Sequence, residues 1–328
     1  MIRFLVIRLS SIGDIVLTSP VLRHLKKIDG AEVHFFTKAT YEEVIKHNPY
    51  IDQYHLFSGD LKKNIQDFKA IGFDYVIDLH HNIRTYRIKT ALKVPALSFN
   101  KLNREKWLRV HLKMKHILPE VHIVDRYMDT IRFFDFERDN AGLEYFIGEE
   151  DKVDVKTVLG NDFSGKYVAI VLGAKHYTKQ IPYEKLVQLI EHLEMPLVLL
   201  GGDDAKKMGQ QLNEHFPKKI LIDATGRFRL NETASLIQQA EVVITPDTGL
   251  MHIAAAYKRK IISLWGNTIP EFGMMPYQAH SDSRVFEITG LKCRPCSKIG
   301  YDRCPKKHFA CMMRQDMTQV AEYVKQIF

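Results

Sequence analysis

The sequence predicts an α/β protein made of two doubly wound parallel sheets that face a cleft. Short, near-continuous runs of Val, Ile and Leu alternate with segments of helical periodicity through both halves of the chain, the pattern of parallel sheets covered on both faces. A length of 328 residues suits roughly two domains, each able to bury its own core. One charged, turn-rich stretch, FERDNAGLEYFIGEEDKVD at 136–154, breaks the alternation. It sets the expected boundary near residue 150, giving an N-terminal domain 1–150 and a C-terminal domain 151–328.

In the first half FLVIRL (4–9), EVHFFT (32–37), YVIDLH (75–80) and ALSFN (96–100) read as strands, with helices starting near Asp14, Tyr41 and Asp60. In the second half the strands are 167–173, 197–202, 220–225, 242–246 and 261–266. Helical patterns near Tyr183, Asp204, Asn231 and Thr248 fall between them, and MTQVAEYVKQIF closes the chain as an amphipathic helix. Apolar content of 45% and charged content of 26% are those of a water-soluble globular protein. Arg8 and Asp14 interrupt the apolar N-terminal segment, which is too short and alternating for a membrane span, so an intracellular, unprocessed chain is expected.

The net charge of +8 is unevenly spread. Arg84, Arg87, Lys89, Lys93, Lys101, Arg104, Lys106, Arg109, Lys113 and Lys115 face one acid, Glu105, so residues 84–115 carry +9 and the remainder about −1. Such a run suits an anionic partner, whether nucleic acid, acidic lipid or a phosphorylated substrate; a solvated helical face is the alternative.

Four strand-to-helix loops of the second half carry candidate chemistry. In VVITPDTGLMHIAAA (242–256) a buried strand runs into Asp247, Thr248 and Gly249, and the free N–H groups of the next helical turn suit a phosphate or diphosphate. Alone, this reads first as an ordinary N-capped βα loop. LGAKHYTKQIPYEKL (172–186) places Thr178 and Lys179 after another strand, where a lysine can neutralise a phosphate. GGDDAKK (201–207) offers Asp204 for ribose hydroxyls, or merely for the helix dipole, and TGRFRLNE (225–232) offers Phe228 to a base, or to the core. Together these are the parts that hold a nucleoside diphosphate.

The opening SSIGDIVLTSP (10–20) fits neither a dinucleotide nor a Walker loop, because the further glycines and the Gly-Lys-Ser/Thr are missing. Asp14 there either is a plain helix cap or serves some other chemistry. All four cysteines lie in CRPCSKIGYDRCPKKHFAC, as Cys293, Cys296, Cys304 and Cys311. A tetrahedral structural Zn²⁺ site is the first hypothesis for them, with reduced packing cysteines or disulfides as the alternatives.

MIRFLVIRLSSIGDIVLTSPVL and PDTGLMHIAAA resemble two signatures of the ADP-heptose:lipopolysaccharide heptosyltransferases, glycosyltransferase family nine. LGAKHYTKQIP resembles the loop bearing that family's phosphate-binding lysine, and LWGNTIPEFGMMPY its segment after the last core strand. The resemblance implies a B-type glycosyltransferase fold of two Rossmann-like domains and inverting sugar transfer from a nucleotide-sugar donor. It makes Asp14 the general base, with Ser11 and Gly13 beside it on the acceptor side. Thr248, Gly249 and Leu250 would hold the diphosphate, Asp247 would lie near the donor sugar, and Thr178 and Lys179 would contact phosphate; Asp204 and Phe228 are looser transfers. No cofactor is required for catalysis on this reading, since no Asp-x-Asp occurs anywhere in the chain.

The acceptor implied is a phosphorylated glycolipid at the inner face of the inner membrane, with Arg84, Arg87, Lys106 and Arg109 as its contacts. The protein would then be cytoplasmic and peripheral, with no nucleic-acid partner. His80 and His81 either face the cleft or are satisfied structural histidines. The competing functions are a nucleotide-sugar 2-epimerase and a non-catalytic nucleic-acid-binding protein.

Overall fold

A computed structural model describes residues 1–160 and 165–328. The chain forms two compact units, one of 1–101 with 121–146 and one of 102–120 with 147–328.

The first unit is a five-stranded parallel sheet: β1 (Ile2–Ile7), β2 (Ala31–Lys38), β3 (Gln53–Phe57), β4 (Tyr75–Asp78) and β5 (Ala96–Ser98), in the order β3-β2-β1-β4-β5. β1 lies at the centre because Phe4 to Ile7 carry apolar side chains that are wholly buried on both faces. Leu5, Ile7 and Val76 pack with Phe36, Phe68 and Ile88 into one core. Asp60 starts the helix Leu61–Ile71 by accepting from the Lys63 N–H at 3.0 Å, as its sequence position predicts.

The second unit is a six-stranded parallel sheet: β6 (Val168–Val171), β7 (Leu197–Leu200), β8 (Leu221–Asp223), β9 (Val242–Pro246), β10 (Lys260–Trp265) and β11 (Arg284–Glu287), in the order β11-β10-β9-β6-β7-β8. Val168, Ile170, Leu197, Leu199, Val242 and Ile244 share a core with the helices Tyr183–Glu191 and Met317–Ile327. In each sheet the strand order reverses once, between β1 and β4 and between β6 and β9. Ligands of doubly wound sheets bind beyond the carboxyl ends of the strands at such points, where consecutive loops part.

Two strands go beyond the sequence reading. β3 (QYHLF) and β11 (RVFE) are edge strands, half-exposed and partly polar, so neither shows the apolar run that marks a buried strand. The basic run is also divided. The helix Ile83–Leu92 belongs to the first unit, whereas 102–120 belongs to the second. Val110 and Leu118 pack against Ile269 and Phe272, and Lys113 Nζ donates to the carbonyls of Cys293 (3.2 Å) and Pro295 (2.6 Å). Its apolar side chains decide where this stretch sits, and its charge pattern does not reveal them.

Candidate active site

At the carboxyl end of β1 a buried arginine fixes a carboxylate. Arg8 has every nitrogen committed. Nε donates to Ser10 O (2.7 Å), Nη1 to Leu79 O and Tyr127 Oη (2.9 Å), and Nη2 pairs with Asp14 Oδ1 at 2.7 Å. The other oxygen, Asp14 Oδ2, accepts from Ser11 Oγ (2.9 Å) and from the Ser11 N–H (3.2 Å). Burial works to raise the Asp14 pKa, but the Arg8 charge and the Ser11 donors prevail and hold it below the usual carboxylate range. One-fifth of the side chain still reaches solvent, so the carboxylate is immobilised yet accessible. Gly13 is buried in the same turn.

In the second unit the loops after β6 and β9 meet at the switch point. Lys179 Nζ lies 2.6 Å from Asp247 Oδ2, which also accepts from Thr268 Oγ1 at 3.0 Å. The helix Gly249–Ala256 follows at once, and Thr248 precedes it in extended geometry without capping it through its side chain. The first-turn amides, those of Gly249 and Leu250 included, therefore keep the unpaired N–H groups of a helix start beside a lysine, an arrangement suited to a phosphate. The loop after β10 also approaches the loop after β6, and needs Gly266 to do so, where a Cβ would meet Thr178 O at 2.5 Å.

The sequence profile of glycosyltransferase family 9 (heptosyltransferase) matches residues 61–302. The chain belongs to this family. It is therefore a glycosyltransferase. Lipopolysaccharide heptosyltransferase 1 of Campylobacter coli is 24% identical over 80% of this chain and 83% of its own length. Lipooligosaccharide heptosyltransferase 2 of Haemophilus influenzae is 32% identical over 36% of this chain, an alignment that spans only 35% of the Haemophilus protein. The solved structure of Escherichia coli ADP-heptose LPS heptosyltransferase II superposes with a TM-score of 0.70 at 18% identity, covering 99% of this chain and 98% of that one. That likeness supports the two-domain, B-type glycosyltransferase fold. The profile match starts after Asp14, so the assignment to family 9 and the Arg8–Asp14 geometry are independent observations.

Other expected site residues of this family 9 enzyme fall into distinct settings. Thr178 is buried, and Oγ1 donates to Tyr301 O (3.1 Å) and accepts from Tyr301 N (2.8 Å). It braces the loop that carries Lys179. Asp204 is exposed after β7, and its carboxylate lies 3.4 Å from where a Cβ on Gly173 would stand. Phe228 is half-buried after β8 with the Arg227 guanidinium 5.6 Å from its ring centre.

Arg84 and Arg87 are exposed in the first unit, whereas Lys106 and Arg109 are half-buried in the second, Lys106 with its ammonium 5.8 Å from the Phe272 ring centre. The expectation of one continuous acceptor-side run is thus replaced by two separate groups.

The cysteines are free thiols, and Cys304 and Cys311 join an apolar cluster with Leu291, Phe309 and Met312. Neighbouring sulfurs around a tetrahedral zinc lie roughly 3.8 Å apart, as Zn–S bonds of about 2.3 Å require. Among the described residues no three of the four bring their sulfurs within even 4.8 Å of one another. Burial and the neighbouring thiols push Cys296 up to about 12 and Cys311 to about 11. The closed zinc site expected from the spacing does not fit this arrangement.

Sequence reasoning missed Arg8, Tyr127 and Thr268. Arg8 did carry a signal, since a charge inside a strand that is otherwise fully apolar must find a partner.

Proposed function

We propose that the enzyme transfers heptose from ADP-heptose onto a phosphorylated lipopolysaccharide-core acceptor, with inversion and with Asp14 as general base. The observation that carries this reading is the Arg8–Asp14–Ser11 cluster, a carboxylate held ionised and aimed by bonds at both oxygens in a family 9 chain. The acceptor oxygen attacks the anomeric carbon, the bond from that carbon to the diphosphate breaks, and the acceptor proton passes to Asp14. A carboxylate of depressed pKa cannot deprotonate a free alcohol. It can take the proton late, as bond formation makes the hydroxyl acidic.

Charge developing on the leaving diphosphate would be met by Lys179 and by the amides of Gly249 and Leu250, with Thr248 adding a hydroxyl. Asp247 pairs with the Lys179 ammonium, which keeps it at the loop where the diphosphate would bind. Asp204 and Phe228 are the proposed contacts for ribose and base. The name of the Escherichia coli structure supports the donor, and the names of the curated relatives support the acceptor class. On this reading the chain works at the inner face of the inner membrane without a required metal; among the described residues no helix is long and apolar enough to cross a bilayer.

The test is transfer with ADP-heptose and a deacylated core acceptor, in EDTA. Asp14→Asn is expected to lower kcat by about 10²–10⁴-fold while leaving the ADP-induced rise in melting temperature intact, and Lys179→Ala to diminish that rise. Unchanged turnover in Asp14→Asn, or activity that EDTA abolishes and Mg²⁺ restores, overturns the corresponding part.

A further inference from the structure

One side chain at the switch point of the first sheet has no role in the chemistry above. His80 follows β4, the strand paired with β1. Its main chain is fixed. The N–H groups of His80 and His81 donate to Asp78 Oδ1 at 3.1 and 2.7 Å, and Asp78 Oδ2 pairs with Lys89 Nζ at 2.8 Å. Its ring is unpaired at one nitrogen: Nδ1 is buried and has no hydrogen-bond partner among the described residues, so contact with a ligand falls to Nε2.

Three other histidines of the same unit have defined ring contacts. His24 Nδ1 contacts Pro20 O at 2.7 Å, His81 Nδ1 contacts Phe99 O at 3.1 Å, and His34 uses both ring nitrogens, on His55 and Glu32.

The charged groups that act on the His80 ring are Arg8 and Lys101 on one side of the balance and Asp78 and Asp14 on the other. Burial, with the two cations, outweighs the two carboxylates and lowers the imidazole pKa to about 4. The ring is therefore neutral at pH 7, with a donor on one nitrogen and an acceptor on the other. An imidazolium here would compete with Arg8 for Asp14. A neutral ring leaves that pair intact and can serve a polyhydroxylated ligand.

We propose that His80 is an acceptor-binding residue, whose ring hydrogen-bonds a hydroxyl of the sugar that presents its nucleophilic hydroxyl to Asp14. The proposal rests on the reading of Asp14 as the base. It assigns to the loop after β4 a part in choosing which acceptor hydroxyl reaches the carboxylate.

The experiment compares wild type, His80→Ala, His80→Gln and Asp14→Asn, varying acceptor at saturating donor, with ADP-induced melting shifts measured in parallel. His80→Ala is expected to lose at least tenfold in kcat/KM for acceptor while keeping the wild-type ADP shift. His80→Gln, which retains a donor and an acceptor, is expected to recover most of the loss. A His80→Ala value within twofold of wild type, or a Gln variant as poor as Ala, overturns the proposal. An inactive Asp14→Asn beside a fully active His80→Ala removes His80 alone, whereas a fully active Asp14→Asn removes the base and His80 together.

Discussion

Asp14 is both a helix-start carboxylate and a buried one, and the two roles make opposite demands on its proton. Burial by itself would favour the neutral acid; Arg8 and the two Ser11 donors reverse that. The sign of the consequence follows from linkage. A carboxylate whose folded pKa is depressed below its unfolded value, near 4, is fully ionised above that value and is protonated only as pH falls through the lower folded pKa. Asp14 therefore imposes no loss of kcat in wild type above about pH 4. Arg8→Met removes the largest opposing influence and leaves only the Ser11 donors against burial, so the acid limb of kcat should move upward. Arg8→Lys, which keeps the charge, should hold the limb near its wild-type position and also control for loss of fold. A pH–rate profile of Arg8→Met with the wild-type acid limb would show that Asp14 is not the group whose ionisation matters. Much of this was legible, because a lone Asp in a loop that fits no phosphate signature asks for a role. The Arg8 partner Tyr127 was not, because it lies 119 residues along the chain from Arg8 and no local pattern links them.

At the scale of elements, the return segment before the second unit is tied to the helix Ser19–Lys26 by charge. Arg23, buried on that helix, donates to both oxygens of Asp139 (2.8 and 2.9 Å) and to Glu144, and Lys27 Nζ reaches Asp139 at 2.6 Å. Hydrogen bonds from Arg23, then from Lys27 and the Ala141 N–H, hold the Asp139 pKa far below the usual carboxylate range against a desolvation that opposes them. Its stabilisation is thus complete above the unfolded pKa near 4 and is lost as pH falls below it. Asp139→Asn should cost roughly 1.5–3 kcal/mol at pH 7, the scale of hydrogen bonds to charged groups, and flatten the fall in melting temperature between pH 5 and 3. An unchanged slope would mean that the clamp contributes nothing to folding. No sequence pattern announced this tie, whereas β1, β4, β6, β7 and β9 were legible because a strand covered on both faces must be apolar throughout. The edge strands β3 and β11 escape that rule, since one flank of each meets no neighbouring strand and polar residues are tolerated there.

For the molecule as a whole, the charge is concentrated: residues 84–115 hold +9 of a net +8. In the first unit Arg84, Arg87 and Lys93 are exposed alongside Ile83 and Tyr86; in the second, Arg104 and Lys115 are exposed alongside Trp107, Leu112 and Met114. Exposed apolar and aromatic side chains set among Lys and Arg are the composition of an interfacial surface, where the cations meet anionic headgroups and the apolar groups enter the acyl boundary. Each unit carries its own set of exposed cations and apolar side chains, which the continuous run in the sequence concealed; on the proposed membrane location these are the contacts to test. Cosedimentation should therefore show binding to vesicles of mixed phosphatidylglycerol and phosphatidylethanolamine but little binding to phosphatidylcholine. Raising salt from 0.1 to 1 M shortens the screening length from about 10 to about 3 Å, so the electrostatic part should largely vanish over that range. Arg84→Glu with Arg87→Glu should weaken binding by roughly thirtyfold or more, at about 1 kcal/mol per cation removed from the surface, without changing the ADP-induced melting shift, since both residues lie in the first unit. Binding that ignores both salt and charge reversal would assign the run to the solvated helical face.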